Sequence, residues 1–201
     1  VNQILSWRFP SYKITHKIEN ESLISYISTL NPQKQLEFGR ELLEWGTMCG
    51  KLNEATIGLK YFAYVLYPAN NDVIHAIINS STDALLSLSG VSKRKEENKV
   101  LVDYISQAIS VITLIVKKID NPTIDVVSFA INCCNFQKHS IGNKSLILIN
   151  ECLKHHNLSL EIKKSNINGF VNILSKIKFA LESPKIVYEI LCNAILSNNY
   201  K

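Results

Sequence analysis

A zinc site is the first chemistry that the residue types suggest, because six thiols and imidazoles lie close together in the chain. These side chains are Cys133, Cys134, His139, Cys152, His155 and His156. Structural zinc sites usually contain tighter pairs such as Cys-x2-Cys, and neighbouring residues of one helix point about 100° apart. Cys133 and Cys134 therefore cannot easily face one ion. We predict buried thiols, surface histidines and no metal.

Catalytic signatures are absent from the sequence. It contains no Gly-x-Ser-x-Gly, no phosphate-binding glycine loop, no His-Glu-x-x-His and no close carboxylate pair within an apolar run. Asp83, Asp103 and Asp125 lie in helical segments, where we interpret them as capping or inter-helix hydrogen-bonding groups. A dyad such as Cys49 with His75 is not indicated by any spacing. We predict a protein that is not an enzyme and needs no cofactor.

Basic residues form small clusters, and the chain has 22 Lys and Arg against 17 Asp and Glu, a formal net charge of +5. The candidate basic patch consists of Lys93, Arg94, Lys95, Lys99, Lys117 and Lys118. Proteins that bind nucleic acids usually have a stronger imbalance, with more Arg for bidentate contacts. Solvated lysines are the simpler interpretation. The alternative is a basic helical domain that contacts RNA, DNA or an anionic surface.

Aromatic residues are concentrated at Tyr61, Phe62, Tyr64 and Tyr67. At 100° per residue they spread around a helix and cannot all face one core. Because tyrosine is enriched where proteins bind each other, Tyr61, Tyr64 and Tyr67 are candidate contact residues, although each is also suited to a core.

The C-terminal segment is a second candidate contact surface. Residues 184–198 are apolar on more than one face, and Ile190 and Leu191 represent its two sides. We expect this segment to pack against a further hairpin, a second copy of the chain or a partner protein.

Composition limits the class of protein. Hydrophobic residues make up 46% and charged residues 19%, which excludes a disordered chain. An odd number of cysteines, five, without regular spacing argues against a secreted disulfide framework and favours a cytoplasmic or nuclear location. The apolar run at 109–116 is too short to span a membrane. The chain starts without Met or a signal pattern, so we expect a piece of a larger protein.

Helix-start signals divide the chain. Asn31-Pro32, Asn121-Pro122 and Ser183-Pro184 each place a capping residue before a proline, and Asn71-Asp72 offers a further cap. With apolar residues recurring every three or four positions, these signals predict an all-α fold without a sheet. The predicted helices span 22–29, 33–49, 52–67, 72–89, 97–118, 122–138, 143–157, 165–181 and 184–198. We expect residues 1–20 to be an extended or poorly ordered lead-in and 21–201 to be a single helical-repeat domain.

The helices pair at regular steps. The first helices of successive pairs begin near 33, 72, 122 and 165, so the steps are about 39, 50 and 43 residues. In this spacing the chain resembles HEAT and armadillo arrays, in which hairpins stack at steps of about 40 to 47 residues. The resemblance implies a right-handed α-α superhelix of about four hairpins.

A second resemblance is local. The segment 44–70 resembles a single tetratricopeptide unit through Glu44-Trp45-Gly46, Gly50, Asn53-Glu54-Ala55, Tyr61, Ala63 and Pro68-Ala69-Asn70. It has one extra residue before Ala63 and no second copy at a step of 34 residues. Both resemblances imply a non-catalytic scaffold or adaptor whose partners are further repeats, a partner subunit or a second copy.

Overall fold

The computed structural model describes residues 25–89, 95–134, 139–155, 157–158 and the single residues 185, 188, 189 and 192. Regular structure in these residues is helical throughout, without a strand, which confirms the all-α prediction. The helices are α1 (25–29), α2 (Pro32–Met48), α3 (Leu52–Val65), α4 (Asn71–Ser89), α5 (Lys95–Val116), α6 (Asp125–Cys134) and α7 (His139–Leu153).

The chain divides into two compact units, Val1–Pro68 and Ala69–Lys201. The first contains α1 to α3 and the second α4 to α7. The expectation of a single domain over 21–201 stays a prediction, and the lead-in at 1–20 lies outside the described residues.

The first unit is built on the hairpin of α2 and α3. Asn31 caps α2 as predicted: its side-chain oxygen accepts a hydrogen bond from the Lys34 amide at 2.9 Å, and Pro32 begins the helix. The ring of Trp45 on α2 stacks on that of Tyr61 on α3, with centroids 6.5 Å apart. The cap therefore defines the start of α2, and the stacked rings join α2 to α3.

Helix α3 ends two residues before the predicted position. Leu66 adopts a left-handed conformation with φ of 46°, and its amide donates to the Phe62 carbonyl at 2.7 Å. The chain then turns back so that the carbonyl of Tyr67 lies against Gly39, where a side chain would overlap it. Tyr67 is therefore in the turn and not in the helix.

Two predicted helix starts in the second unit are wrong. The cap of α4 is Asn70 and not Asn71, because the Asn70 side-chain oxygen accepts from the Val73 amide at 3.0 Å. Helix α6 begins at Asp125 and not at Pro122. The carbonyls of Asn121 and Pro122 accept hydrogen bonds from the side chains of Asn71 and Asn157, so they do not continue into α6.

The start of α7 also differs from the one predicted, because residues 139–142 are already helical, whereas we expected the helix to begin at 143. The described part of α6 reaches Cys134, and its predicted end at 138 lies outside the described residues. The segments predicted at 165–181 and 184–198, together with the Ser183-Pro184 cap, lie outside the described residues apart from four single positions.

The four helices of the second unit pack as two hairpins in two layers. Helix α4 pairs with α5 and α6 with α7, while α5 also contacts α7 and α4 contacts α6. Helices α4 and α6 form the first layer, and contacts between residues 50 positions apart join them. The Asn71 side chain donates to the Asn121 carbonyl at 2.9 Å, and the His75 side chain lies 3.7 Å from that of Asp125. Helices α4 and α6 therefore run parallel.

The second layer, of α5 and α7, is also parallel. Lys144 donates to the Ser106 carbonyl at 3.1 Å, and eleven residues further along the chain, just after the end of α5, the Lys117 ammonium lies 3.9 Å from the Glu151 carboxylate. The first helices of the two hairpins thus lie side by side, and so do the second helices.

Helix α5 forms the centre of the second unit. Ile105, Ile109, Ile112 and Val116 are completely buried. By length and mean hydropathy of 1.6, the stretch Lys99–Val116 would be long and apolar enough to cross a membrane. However, 61% of it is buried inside the protein, and the core helix of a soluble domain passes the same test.

Candidate functional site

A groove of about 510 Å³ lies between the parallel helices α4 and α6. Its lining mixes apolar, amide, hydroxyl and ionisable side chains. The lining residues are His75, Ile78, Asn79, Thr82, Leu85 and Leu86 from α4 with Asp125, Ser128, Phe129 and Asn132 from α6. A cavity of this size is within the range of ligand-binding clefts.

One end of the groove carries its ionisable groups. His75 Nδ1 lies 3.7 Å from Asp125 Oδ2, and their side chains are 40% and 59% exposed. This separation is longer than a hydrogen bond. The Asp125 carboxylate therefore keeps its acceptor oxygens available to a ligand, and the imidazole contributes a charge only when protonated.

The floor and the far end are apolar. Leu85 and Phe129 are buried, whereas Leu86 exposes 65% of its surface at the end of the groove away from Asp125. Asn79 and Asn132 are exposed on the walls. An amide supplies both donors and an acceptor, so these walls can pair with main-chain groups of a bound segment.

The predicted aromatic cluster is divided between core and surface. Tyr61 is only 5% exposed and Phe62 is completely buried, so neither presents its ring to a partner. Tyr64 and Tyr67 are 42% and 43% exposed. These two remain candidate contact residues of the first unit, and they do not belong to the groove of the second.

The predicted basic patch is not brought together as far as the structure describes it. Lys93 and Arg94, with the side chain of Lys95, lie outside the described residues. Lys99 is exposed near the start of α5, and Lys117 and Lys118 are exposed just after its end. At 1.5 Å per residue, Lys99 and Lys117 are separated by about 27 Å along the helix axis.

A carboxylate also neutralises part of this charge. Glu151 accepts from Lys154 at 2.8 Å and lies 3.9 Å from Lys117, while its own side chain is only 14% exposed. Two lysines therefore share one partly buried anion, which reduces the attraction of this end of the molecule for phosphates.

Three of the six candidate zinc ligands are buried cysteines. All five cysteines are free thiols, and Cys133, Cys134 and Cys152 are buried. Burial raises the pKa of Cys134 and Cys152 to about 12 and also raises that of Cys133, so these groups stay protonated at neutral pH. No three His, Cys, Asp or Glu groups among the described residues could hold a metal ion, and the side chains of His139 and His156 are not among them.

The predicted C-terminal contact residues Ile190 and Leu191 lie outside the described residues. Their neighbour Glu189 accepts a hydrogen bond from the Asn150 side chain at 3.2 Å, so this residue lies beside α7. Tyr188 is 69% exposed.

Sequence reasoning did not identify the groove. His75, Asn79, Thr82 and Leu86 follow one another at steps of three and four, which marks a single helix face of mixed character. That stripe was visible in the sequence, but its partner face on α6 could be assigned only through the pairing of residues 50 apart.

The chain was compared with protein-family models, with curated proteins and with solved structures. None of the three comparisons gives a match.

Proposed function

We propose that this protein is a non-catalytic helical-repeat scaffold that binds a segment of another protein in the groove between α4 and α6. The observation that carries the proposal is the side-by-side arrangement of equivalent helices from successive hairpins, which leaves a lined groove between the first helices of each pair.

The common direction of the contacts in the two layers supports a stack of hairpins. The contacts Asn71 to Asn121 and His75 to Asp125 have the 50-residue step between the second and third predicted hairpins. In the other layer, Ser106 contacts Lys144, 38 residues later. α-Solenoids are built as stacks of hairpins whose corresponding helices are parallel, and this chain resembles them in the number of residues between successive hairpins. We extend this stack to an array of about four hairpins.

The chemistry of the groove favours binding over catalysis. A catalytic His–Asp pair needs a hydrogen bond that orients the imidazole, and the 3.7 Å separation of His75 and Asp125 does not provide one. An apolar floor with amide walls is instead suited to a peptide, whose side chains enter the floor while its main chain pairs with the walls.

The spread of the lysines favours a protein partner over a nucleic acid. Lys99 and Lys117 are at opposite ends of α5, and Lys117 shares Glu151 with Lys154. Fluorescence anisotropy of labelled RNA and DNA over a salt series tests the alternative. A steep fall of log K with log salt, equivalent to six or more phosphate contacts, would favour the nucleic-acid function.

Selection from a phage-displayed library of random peptides tests the main proposal. The immobilised protein should enrich a sequence motif, and titration of the selected peptides should give saturable binding. Leu86→Asn, which removes the exposed apolar end of the groove, should weaken binding about tenfold. The matched control is Leu114→Asn, because Leu114 is 38% exposed on α5 and lies outside the groove. No enrichment, or equal loss in both variants, would contradict a binding groove.

A further inference from the structure

We infer that the groove between α4 and α6 takes an extended basic segment, with a Lys or Arg at the Asp125 end and an aliphatic or aromatic side chain at the Leu86 end. This inference rests on the proposed function, whose site it makes specific. It follows from three properties of the groove: the charge of its helices, the state of Asp125 and the distance between its two ends.

The two helices that form the groove are acidic in a basic chain. Helices α4 and α6 carry Asp72, Asp83 and Asp125 and have neither Lys nor Arg, whereas the whole chain has a formal net charge of +5. Asp72 and Asp125 lie in first turns, where a carboxylate also stabilises the helix dipole, but Asp83 lies in the middle of α4 and has no such role. Of these three carboxylates only Asp125 lines the groove, and its charge favours a cationic partner there.

Asp125 is the carboxylate that lines the groove itself. Its side chain is 59% exposed, and the imidazole of His75 lies beyond hydrogen-bond distance. A Lys ammonium or an Arg guanidinium can therefore reach the carboxylate without displacing a neighbour. A charged hydrogen bond at this position is stronger than a neutral one and defines the orientation of the bound segment.

The length of the groove sets the spacing within the partner. His75, which lies beside Asp125, and Leu86 are separated along α4 by about 16 Å at 1.5 Å per residue. An extended chain advances about 3.3 Å per residue and places alternate side chains on the same side. A basic residue with an apolar residue four positions later covers about 13 Å, and the long basic side chain supplies the rest.

The amide walls explain why an extended segment fits better than a helix. Asn79 and Asn132 lie between the two ends and expose amides that can pair with peptide groups. The main chain of a helix has already used its hydrogen-bonding groups internally and offers nothing to these amides. The expected motif is thus Lys or Arg, three residues of any type, then Leu, Ile, Met or Phe.

The experiment uses the complete chain and fluorescent ten-residue peptides that contain this motif once. We expect saturable binding, a fall of about tenfold when the peptide Lys becomes Ala, and a similar fall when its apolar residue becomes Ala. Asp125→Asn should weaken binding about fivefold and reduce its dependence on salt between 50 and 500 mM. Asp72→Asn is the matched control, because Asp72 is also a first-turn aspartate but does not line the groove.

The remaining outcomes contradict either the basic-segment inference or the proposed scaffold function. If the library yields peptides that lose affinity in Leu86→Asn but contain no basic residue, or if Asp125→Asn binds like the wild type, the basic-segment inference is wrong and the scaffold function stands. Enrichment of acidic peptides, or a dimer in sedimentation that Leu86→Asn abolishes, also overturns the inference. If no peptide binds at all, the proposed function fails, and the inference fails with it. Circular dichroism and thermal unfolding of each variant check that its fold is retained.

Discussion

Two glycines allow the backbones of α2 and α3 to touch. A Cβ atom on Gly58 would lie 2.7 Å from the amide nitrogen and 3.0 Å from the Cα of Gly46, and a Cβ on Gly46 would lie 2.7 Å from the Leu59 side chain. Backbone atoms cannot rotate away as a side chain can. The approach of the two helices therefore depends on the absence of a side chain at both positions.

Gly58→Ala should lower the free energy of unfolding by about 1 to 2 kcal/mol. Alanine is the better helix former by about 1 kcal/mol, but overpacking against backbone atoms costs about 2 to 3 kcal/mol, the upper part of the usual range, because the helices must separate. Urea unfolding followed by circular dichroism measures the change. Gly50→Ala is the control, since a Cβ on Gly50 meets nothing within 4 Å. An unchanged or higher midpoint for Gly58→Ala would show that the contact is loose.

Three buried thiols should make the protein less stable in alkaline solution. Burial raises the pKa of Cys134 and Cys152 from 9.0 to about 12, and that of Cys133 also rises. Above pH 9 the unfolded chain releases thiol protons that the folded protein retains, so its free energy of unfolding falls. Each thiol should cost about 1.4 kcal/mol per pH unit between pH 9 and the folded pKa. Urea midpoints at pH 8, 9 and 10 measure this slope.

A variant isolates the contribution of one thiol to that slope. Cys134→Ala should be less stable at pH 8 because it leaves a cavity, yet its stability should fall less steeply above pH 9. An identical slope in the wild type and the variant would mean that the Cys134 thiol ionises as readily in the folded protein as in the unfolded chain.

At the level of whole helices, the sequence predicts a helix start correctly when the capping residue hydrogen-bonds to the first turn of its own helix. Asn31 and Pro32 do so, and α2 begins where predicted. Asn121 and Pro122 have the same residue types, but their carbonyls are occupied by Asn71 and Asn157, which lie 50 and 35 residues away. Local chemistry could not reveal those distant donors, and for this reason the start of α6 was wrong.

Asn70→Ala should destabilise the protein by about 1 kcal/mol, because the Val73 amide at the start of α4 loses its acceptor. Asn70→Asp keeps an acceptor oxygen at the same position and should be nearly neutral. Thermal unfolding of both variants provides the comparison. Equal melting temperatures for the two would show that the side chain of Asn70 does not cap α4 in solution.

The aromatic cluster shows a second limit of sequence reasoning. Periodicity established that Tyr61, Phe62, Tyr64 and Tyr67 could not share one face, which the structure bears out. It could not tell which face is buried, because that depends on the Trp45 ring of another helix. It also placed Tyr67 in a helix, although the chain leaves the helix at Leu66.

At the scale of the whole molecule, each compact unit has its own buried residues, and the core of the second unit is centred on α5, which contacts both α4 and α7. The all-α class was predictable, because it follows from apolar spacing and helix-start residues. The groove was not, because its two walls come from helices separated by the whole of α5 and its connections.

Ile109→Ala should reduce the free energy of unfolding by about 2 to 5 kcal/mol, since Ile109 is completely buried.

Hydrogen exchange of this variant, followed by mass spectrometry, should show faster exchange in α4, α5 and α7, because these helices pack together. Peptides from α2 and α3 should exchange as in the wild type, since they belong to the other compact unit. Equal acceleration in both groups would mean that the chain unfolds as one cooperative unit. Leu114→Ala, at a partly exposed position of the same helix, is the control and should have a smaller effect.

The burial of Cys133, Cys134 and Cys152 also determines whether unfolding can be reversed. In the folded protein these thiols are shielded from oxidants and remain free. Once the chain opens, three cysteines that are inert in the native state become available to one another and to neighbouring molecules. In an oxidising solution the resulting cross-links would trap the open chain, so that heat inactivation would follow the rate of opening and not the equilibrium between the two states. Recovery of the native fold would then depend on a reductant.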